Sequence, residues 1–278
     1  MNMKIVSDSS SNLLALQDAA YATVPLKVIT AKGEYVDDPT LDLSLLMEDL
    51  RTTKARTQTS CPNAFEWKEA FGDAEGVFAI TITSNLSGSY AAAEKAKQDA
   101  LAENPDRKIA IIDSLSTGPE MQLLIEKIRD GILAGKAFEE IESEVRAYSR
   151  HTHLIFSLQS LKNLARNGRV NPVAAKVAGL LGIRVVGIAS EVGTLQPLYK
   201  PRGRGKTLET IFEEMGRLGY RGGKVRIAHC NNAEKGEDLK KMILAQYPAA
   251  DITMIPTTAL CTYYAEEGGL LVGFEDAN

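Results

Sequence analysis

The sequence predicts an α/β protein of two domains, the first built on a parallel, Rossmann-like sheet and the second on a mixed α/β sheet. Three observations carry this reading. Short β-branched runs alternate with amphipathic segments through the first half, and a hairpin-length spacing enters the pattern in the second. The 278 residues also suffice for two cores at roughly 150 residues per domain.

In the first half, strands are predicted at Lys4 to Ser7, Val24 to Thr30, Val77 to Thr83 and Lys108 to Asp113. Between them, Leu13 to Ala22, Leu43 to Arg51, Ala64 to Phe71, Ser89 to Glu103 and Met121 to Leu133 space apolar residues three and four apart, the mark of helices with one buried face. Asn63 with Glu66 three residues on makes a capping box just after Pro62. A helix at Phe138 to Tyr148 then leads to a strand at His153 to Ser157 and helices at Leu161 to Arg166 and Pro172 to Leu181. Strands at Arg184 to Ala189 and Leu195 to Tyr199 flank Glu191-Val192-Gly193-Thr194, a hairpin turn with its glycine. The pattern closes with helices at Leu208 to Leu218 and Glu237 to Gln246 and strands at Lys224 to His229, Ile252 to Ile255 and Leu270 to Phe274. The boundary falls near Ser149-Arg150-His151, giving domains 1–152 and 153–278.

Composition narrows the function classes. An apolar share of 44% excludes disorder, and 32 basic against 36 acidic residues give a net charge of −4, too acidic for a general nucleic-acid binder. Cys61, Cys230 and Cys261 are widely spaced and form no CxxC pair, so neither a disulfide framework nor a zinc site is expected. Val173 to Ala189 is interrupted by Lys176 and Arg184, short of the roughly 20 apolar residues a bilayer requires. Met1 to Val6 runs straight into a strand without a signal-peptide pattern. The expectation is a cytoplasmic protein with reduced cysteines and no stable membrane insertion.

In a doubly wound sheet, ligands bind beyond the carboxyl ends of the parallel strands. The segments expected there are rich in hydroxyls: Ser7-Asp8-Ser9-Ser10-Ser11, Ser84-Asn85-Leu86-Ser87-Gly88-Ser89-Tyr90 and Asp113-Ser114-Leu115-Ser116-Thr117-Gly118. Thr57-Gln58-Thr59-Ser60-Cys61-Pro62 is of the same chemical type. Each alone reads as a set of helix caps; four together read as a site for one modest anion held by neutral donors. Apart from Arg56 at one margin, no cation lies in these loops.

Other motifs carry less. Gly203-Arg204-Gly205-Lys206-Thr207 resembles the end of a P-loop, but Lys200 stands where its first glycine belongs. Ser87 lacks the flanking glycines of a nucleophile elbow, since Asn85 and Ser89 occupy those positions. His151-Thr152-His153 at a strand start is read as a solvated turn and not as a metal site. His229 ends a strand and is equally readable as structural or functional.

The ordered set of segments resembles the DegV family, fatty-acid-binding proteins that serve as acyl carriers for a bacterial fatty acid kinase. The matching elements are Ile5-Val6-Ser7-Asp8-Ser9-Ser10, Val24-Pro25-Leu26, Thr59-Ser60-Cys61-Pro62, Ser84-Asn85-Leu86-Ser87-Gly88-Ser89-Tyr90, Ile112-Asp113-Ser114, the segment from Leu161 to Arg169, and the strand ending at His229. They span nearly the whole chain. The resemblance implies a DegV-like fold with a lipid tunnel at the head-group site, Thr59 and Ser87 hydrogen-bonded to the carboxylate, and backbone N–H groups offered by Gly88 and Ser89. Asp8, Ser9, Ser60, Ser114, His229, Tyr263 and Tyr264 become candidate neighbours of the head group, and Arg169 a surface residue that docks the kinase. Two departures stand out: Cys61 occupies a position where many relatives have glutamine, and Leu260 to Gly269 lacks the histidine of the family's H-x-G-P-G run. A tyrosine of the Tyr263-Tyr264 pair is the candidate replacement, with core packing as the other reading of both rings. Ile183-Arg184-Val185-Val186 also replaces the family's Ile-Lys-Pro-Ile, removing a fixed backbone kink.

The function implied is non-enzymatic: binding a long-chain fatty acid without any cofactor and presenting its carboxylate to an ATP-dependent fatty acid kinase, which forms the acyl phosphate. The first alternative is an acyl hydrolase or transferase with Ser87 as nucleophile and His229 as its base. The second, a sugar-phosphate or nucleotide site on the same sheet edge, is weakened by the missing cations.

Overall fold

Parallel and mixed sheets occur in the order the sequence predicts. The computed structural model describes residues 1–171 and 183–277, so the helix expected at Pro172 to Leu181 lies outside the described residues. In the first half, β1 (Met3–Asp8), β2 (Tyr21–Val24), β6 (Gly76–Thr81) and β7 (Lys108–Asp113) form a four-stranded parallel sheet in the order β2-β1-β6-β7. Successive residues of one strand face opposite ways. Ile5, Phe78 and Ile80 therefore pack with Met121, Leu124 and Ile128 of α4 (Pro119–Leu133) and Phe138 and Ile141 of α5 (Phe138–Tyr148). Val6, Val77 and Ala79 pack with Trp67 and Phe71 of α2 (Ala64–Phe71) and Ala93 and Ala96 of α3 (Ser89–Glu103).

Two local expectations change. Residues 13–20 form no helix, because Asn12 and Asp18 take left-handed backbone conformations, with φ of 59° and 65°. The chain then extends into β2 instead. The single strand expected at Val24 to Thr30 is broken at Pro25 and Leu26, leaving β3 (Lys27–Ile29) to pair with β4 (Glu34–Val36) and β5 (Gln58–Ser60) in a small antiparallel sheet that the sequence reading does not contain. Helix α1 (Leu43–Thr52) precedes β5. The Asn63–Glu66 capping box forms as expected, with both reciprocal bonds present.

The second half builds a six-stranded mixed sheet, β10-β9-β8-β13-β11-β12. Its strands are β8 (Thr152–Leu158), β9 (Val185–Ala189), β10 (Leu195–Tyr199), β11 (Val225–His229), β12 (Ile252–Pro256) and β13 (Leu270–Glu275), and only the β11–β12 pair is parallel. The remaining described helices are α6 (Lys162–Arg166), α7 (Arg204–Arg217), α8 (Ala233–Gln246) and α9 (Ala259–Ala265), the last absent from the sequence reading. One face of the sheet, with Ile155, Ile227, Leu270, Val272 and Phe274, packs with Leu208, Ile211 and Met215 of α7 and Leu239 and Ile243 of α8. The opposite face carries Leu154, Phe156, Leu158, Ala228 and Leu271 together with Cys261 and Ala265 of α9, and turns toward the loops of the parallel sheet.

Candidate functional site

Where the loops of the parallel sheet meet that second face lies a cavity of about 270 Å³. Leu154, Phe156 and Leu158 enter it because the pleat of β8 aims every second residue the same way, and Leu26, Ile82, Leu195, Leu260, Ala265 and Leu271 complete an aliphatic wall. The β9–β10 hairpin closes over it. At the hairpin tip, Gly193 has φ of 73°, and a Cβ there would come within 2.2 Å of Thr83 Oγ1, so only glycine allows this approach. Asn85 Nδ2 fastens the tip by donating to the Val192 carbonyl at 2.6 Å.

The cavity's polar groups are Thr59, Ser60, Ser87, Gly88, Thr117, Arg169 and Tyr264, with Cys61 and Cys261 beside them. Thr59 is held in β5 opposite Val28 of β3, and its Oγ1 lies 2.7 Å from the Tyr264 hydroxyl. Burial pushes the Tyr264 phenol up in pKa, against the hydrogen bond from Thr59 and the charge of Arg169, so it remains a neutral hydroxyl. The Ser87 hydroxyl oxygen accepts the Ser89 N–H at 3.3 Å. Helix α3 begins beside it with no side-chain cap, so the positive end of the helix is turned toward the cavity at Gly88. A Cβ on Gly88 would stand 3.1 Å from Cys61 Sγ; glycine and cysteine together let the Thr59 segment lie against the Ser87 segment.

The loops themselves bring no cation, but the fold does. Arg169 arrives from the segment after α6; its Nε donates to the Leu86 carbonyl at 3.1 Å and its Nη1 to the Asn167 carbonyl at 2.5 Å. The sequence reading has Arg169 as a surface contact, whereas here it is half-buried and lines the cavity.

Other expected neighbours of the head group stand apart. Asp8 is fully buried and accepts hydrogen bonds from Ser10 N and Oγ, Ile82 N and Ser89 Oγ, the last at 2.7 Å. Burial pushes its carboxyl up to about 6 despite these four donors. Asp8 and the Ser89 side chain therefore fix the end of β6 to the start of α3 and do not line the cavity. Ser9 Oγ accepts the Leu26 N–H at 3.0 Å, which ties its loop to the segment before β3, and Ser114 Oγ donates to the Ser116 carbonyl at 3.1 Å within its own loop. Tyr263 is wholly buried away from the cavity, its hydroxyl bonded to Thr57 Oγ1 at 2.7 Å and accepting from Asn167 Nδ2 at 2.8 Å. His229 pairs in register with Leu270, so its side chain is on the α7–α8 face and the sheet separates it from Ser87. His151 and His153 both approach Asp276 at 3.2 Å, outside the cavity. Among the described residues no histidine, aspartate or glutamate lines the cavity. None of them group three metal-ligating side chains, and none form a helix long and apolar enough to cross a membrane.

The DegV family model matches residues 2–276. The chain belongs to the DegV family. It is 41% identical over 279 residues to a DegV domain-containing protein of Streptococcus pneumoniae, covering 99% of each, and 40% identical over the same span to one of Streptococcus gordonii. Two solved structures superpose on it with a TM-score of 0.97. One is a DegV family protein from Eubacterium eligens loaded with heptadecanoic acid, at 40% identity and 99% coverage of both chains. The other is the Streptococcus pneumoniae Fatty Acid Kinase (Fak) B3 protein loaded with linoleic acid, at 41% identity and 99% coverage of both. The parallel and mixed sheets described above are thus those of a DegV fold.

Proposed function

We propose that this DegV chain binds one long-chain fatty acid, tail in the aliphatic cavity and carboxylate at its polar end, and presents that carboxylate to an ATP-dependent fatty acid kinase. The observation that carries the reading is the asymmetry of the cavity: an aliphatic wall and a group of hydroxyls, a helix start and one arginine, with no acidic group or imidazole among the described lining residues. Burial of methylenes contributes about 0.8 kcal/mol each, on the order of 10 kcal/mol gross for a sixteen-carbon tail before the costs of binding. The head group then needs orientation more than strength. Thr59, Tyr264 and Ser87 supply hydroxyl donors, and Arg169 adds charge at hydrogen-bond reach of the Leu86 loop. The fatty acids in the Eubacterium eligens and Streptococcus pneumoniae structures support the ligand class, and the name of the latter supports the kinase.

The same geometry speaks against catalysis by this chain. A serine nucleophile requires a base within reach, and His229, the base considered from the sequence, faces away across the sheet. The carrier is accordingly proposed to have no reaction of its own, and a partner that uses ATP is consistent with a cytoplasmic location. Denaturing the purified protein and extracting it into organic solvent should release about one equivalent of a long-chain fatty acid. Adding the kinase and ATP before extraction should convert that acid to an acyl phosphate, trapped by hydroxylamine. Empty extracts, together with no uptake of added fatty acid by folded protein, contradict the reading.

A further inference from the structure

The six-stranded sheet carries a second, smaller cavity of about 220 Å³ on its α7–α8 face, opposite the aliphatic one. It lies where β8 and β11 end and where β9 and β13 begin: Ser157, Leu270 and His229 form one cross-strand row, and Arg184 immediately precedes β9. Two fourteen-residue helices start at this spot, α7 after Gly203 and α8 after Asn232. Neither has a side-chain cap. Thr207 Oγ1 turns back to the Gly203 carbonyl at 3.0 Å, and Asn232 donates its side-chain amide to the Gly268 carbonyl at 2.8 Å instead of capping its own helix.

The decisive group is Ser157. It is 2% exposed, lines this cavity, and has no hydrogen-bond partner for its hydroxyl among the described residues. Phe156 and Leu158, its neighbours on β8, face the fatty acid cavity, so a serine is not placed here by the demands of that site. A hydroxyl held at this depth without a partner is unfavourable, and a bound acceptor would satisfy it. Arg184 reaches the same space while its Nη1 donates to the Gly268 carbonyl at 2.7 Å. Of the other charged groups lining the cavity, Lys235 pairs with Asp238 at 2.5 Å and with Glu234 at 3.5 Å.

We propose that this cavity is a binding site for a phosphate group, held by the starts of α7 and α8, the Ser157 hydroxyl and the Arg184 guanidinium. Donors arriving from several directions suit a tetrahedral oxyanion, and converging helix starts favour its negative charge. The glycine-rich run Gly203-Arg204-Gly205-Lys206-Thr207, which fails as a P-loop, supplies the first turn of α7 here. Among the described lining residues Glu234 is the one carboxylate, and its charge opposes an anion bound there. The site stands independently of the fatty acid reading, since the sheet lies between the two cavities.

The test is amide NMR of the full-length protein titrated with inorganic phosphate, with ionic strength held constant by chloride, and in parallel with phenyl phosphate. Saturable shifts are expected in the first turns of α7 and α8, with Ser157→Val weakening the response at least tenfold and Glu234→Gln strengthening it roughly threefold. A tighter response to phenyl phosphate supports a phosphate ester as the ligand; an equal or weaker one supports free phosphate. No saturable shift with either probe, or equal responses from wild type, Ser157→Val and Glu234→Gln, overturns the proposal. Glu234 is exposed at the edge of the site, so its variant carries the test should Ser157→Val fail to fold.

Discussion

Replacing Thr59 by valine and Ser87 by alanine together should weaken long-chain fatty acid binding by roughly 10²- to 10⁴-fold while leaving the protein folded. Each hydroxyl is assigned one hydrogen bond to an ionised carboxylate, worth about 1.5 to 3 kcal/mol, and about 1.4 kcal/mol corresponds to tenfold in affinity. Valine keeps the shape of Thr59 and removes only its part in the 2.7 Å contact with Tyr264. The aliphatic wall is untouched, so stoichiometry at saturating ligand should stay near one. Titration calorimetry on the double variant reads this directly, with the thermal midpoint as a folding control. An affinity within threefold of wild type would separate the head group from these two side chains.

The second large effect is expected far from the cavity in sequence. Asp37, between β4 and α1, is buried, and its carboxylate accepts the N–H groups of Ala259 at 2.7 Å and Leu260 at 3.1 Å and the hydroxyl of Thr258 at 3.1 Å. It caps α9 from 222 residues away. Burial raises its pKa, and these donors oppose the rise. Asp37→Ala would leave two buried N–H groups without acceptors, at about 1 to 3 kcal/mol each, so a loss of roughly 2 to 5 kcal/mol is expected in urea unfolding. Because α9 carries Leu260, Cys261, Tyr264 and Ala265 into the cavity, fatty acid affinity should fall with it. Asp37→Asn keeps an acceptor oxygen and should recover part of both losses. A stability change under about 1 kcal/mol in Asp37→Ala would refute the role given to this cap.

That contact also shows which information was legible along the chain. The capping box at Asn63 is local, and sequence inspection finds it; the cap of α9 is supplied across the fold, so no neighbouring residue announces that helix. The strands at Lys108–Asp113 and Leu195–Tyr199 follow from β-branched runs and a glycine turn, which act over a few residues. Residues 13–20 deceived the helical spacing rule, because spacing says nothing about the left-handed turns at Asn12 and Asp18.

The site divides in the same way. Hydroxyl-rich loops at strand ends mark Thr59 and Ser87, whereas the similar residues Asp8, Ser9 and Ser114 serve to tie those loops together, a distinction composition cannot make. The orientation of His229 was available from strand alternation, since Ala228 and Cys230 lie on the cavity side and His229 between them must face the other way. The Tyr264–Thr59 contact and the entry of Arg169 span 205 and 83 residues of chain, and only the fold reveals them.

The most direct measurement is the ¹³C spectrum of a long-chain fatty acid labelled at its carboxyl carbon and bound to the purified protein. The account predicts one bound resonance, distinct from free acid, at a stoichiometry of one and displaced in Ser87→Ala and in Tyr264→Phe. Absence of a bound resonance, or one that neither substitution moves, would contradict the placement of a fatty acid carboxylate at this polar end.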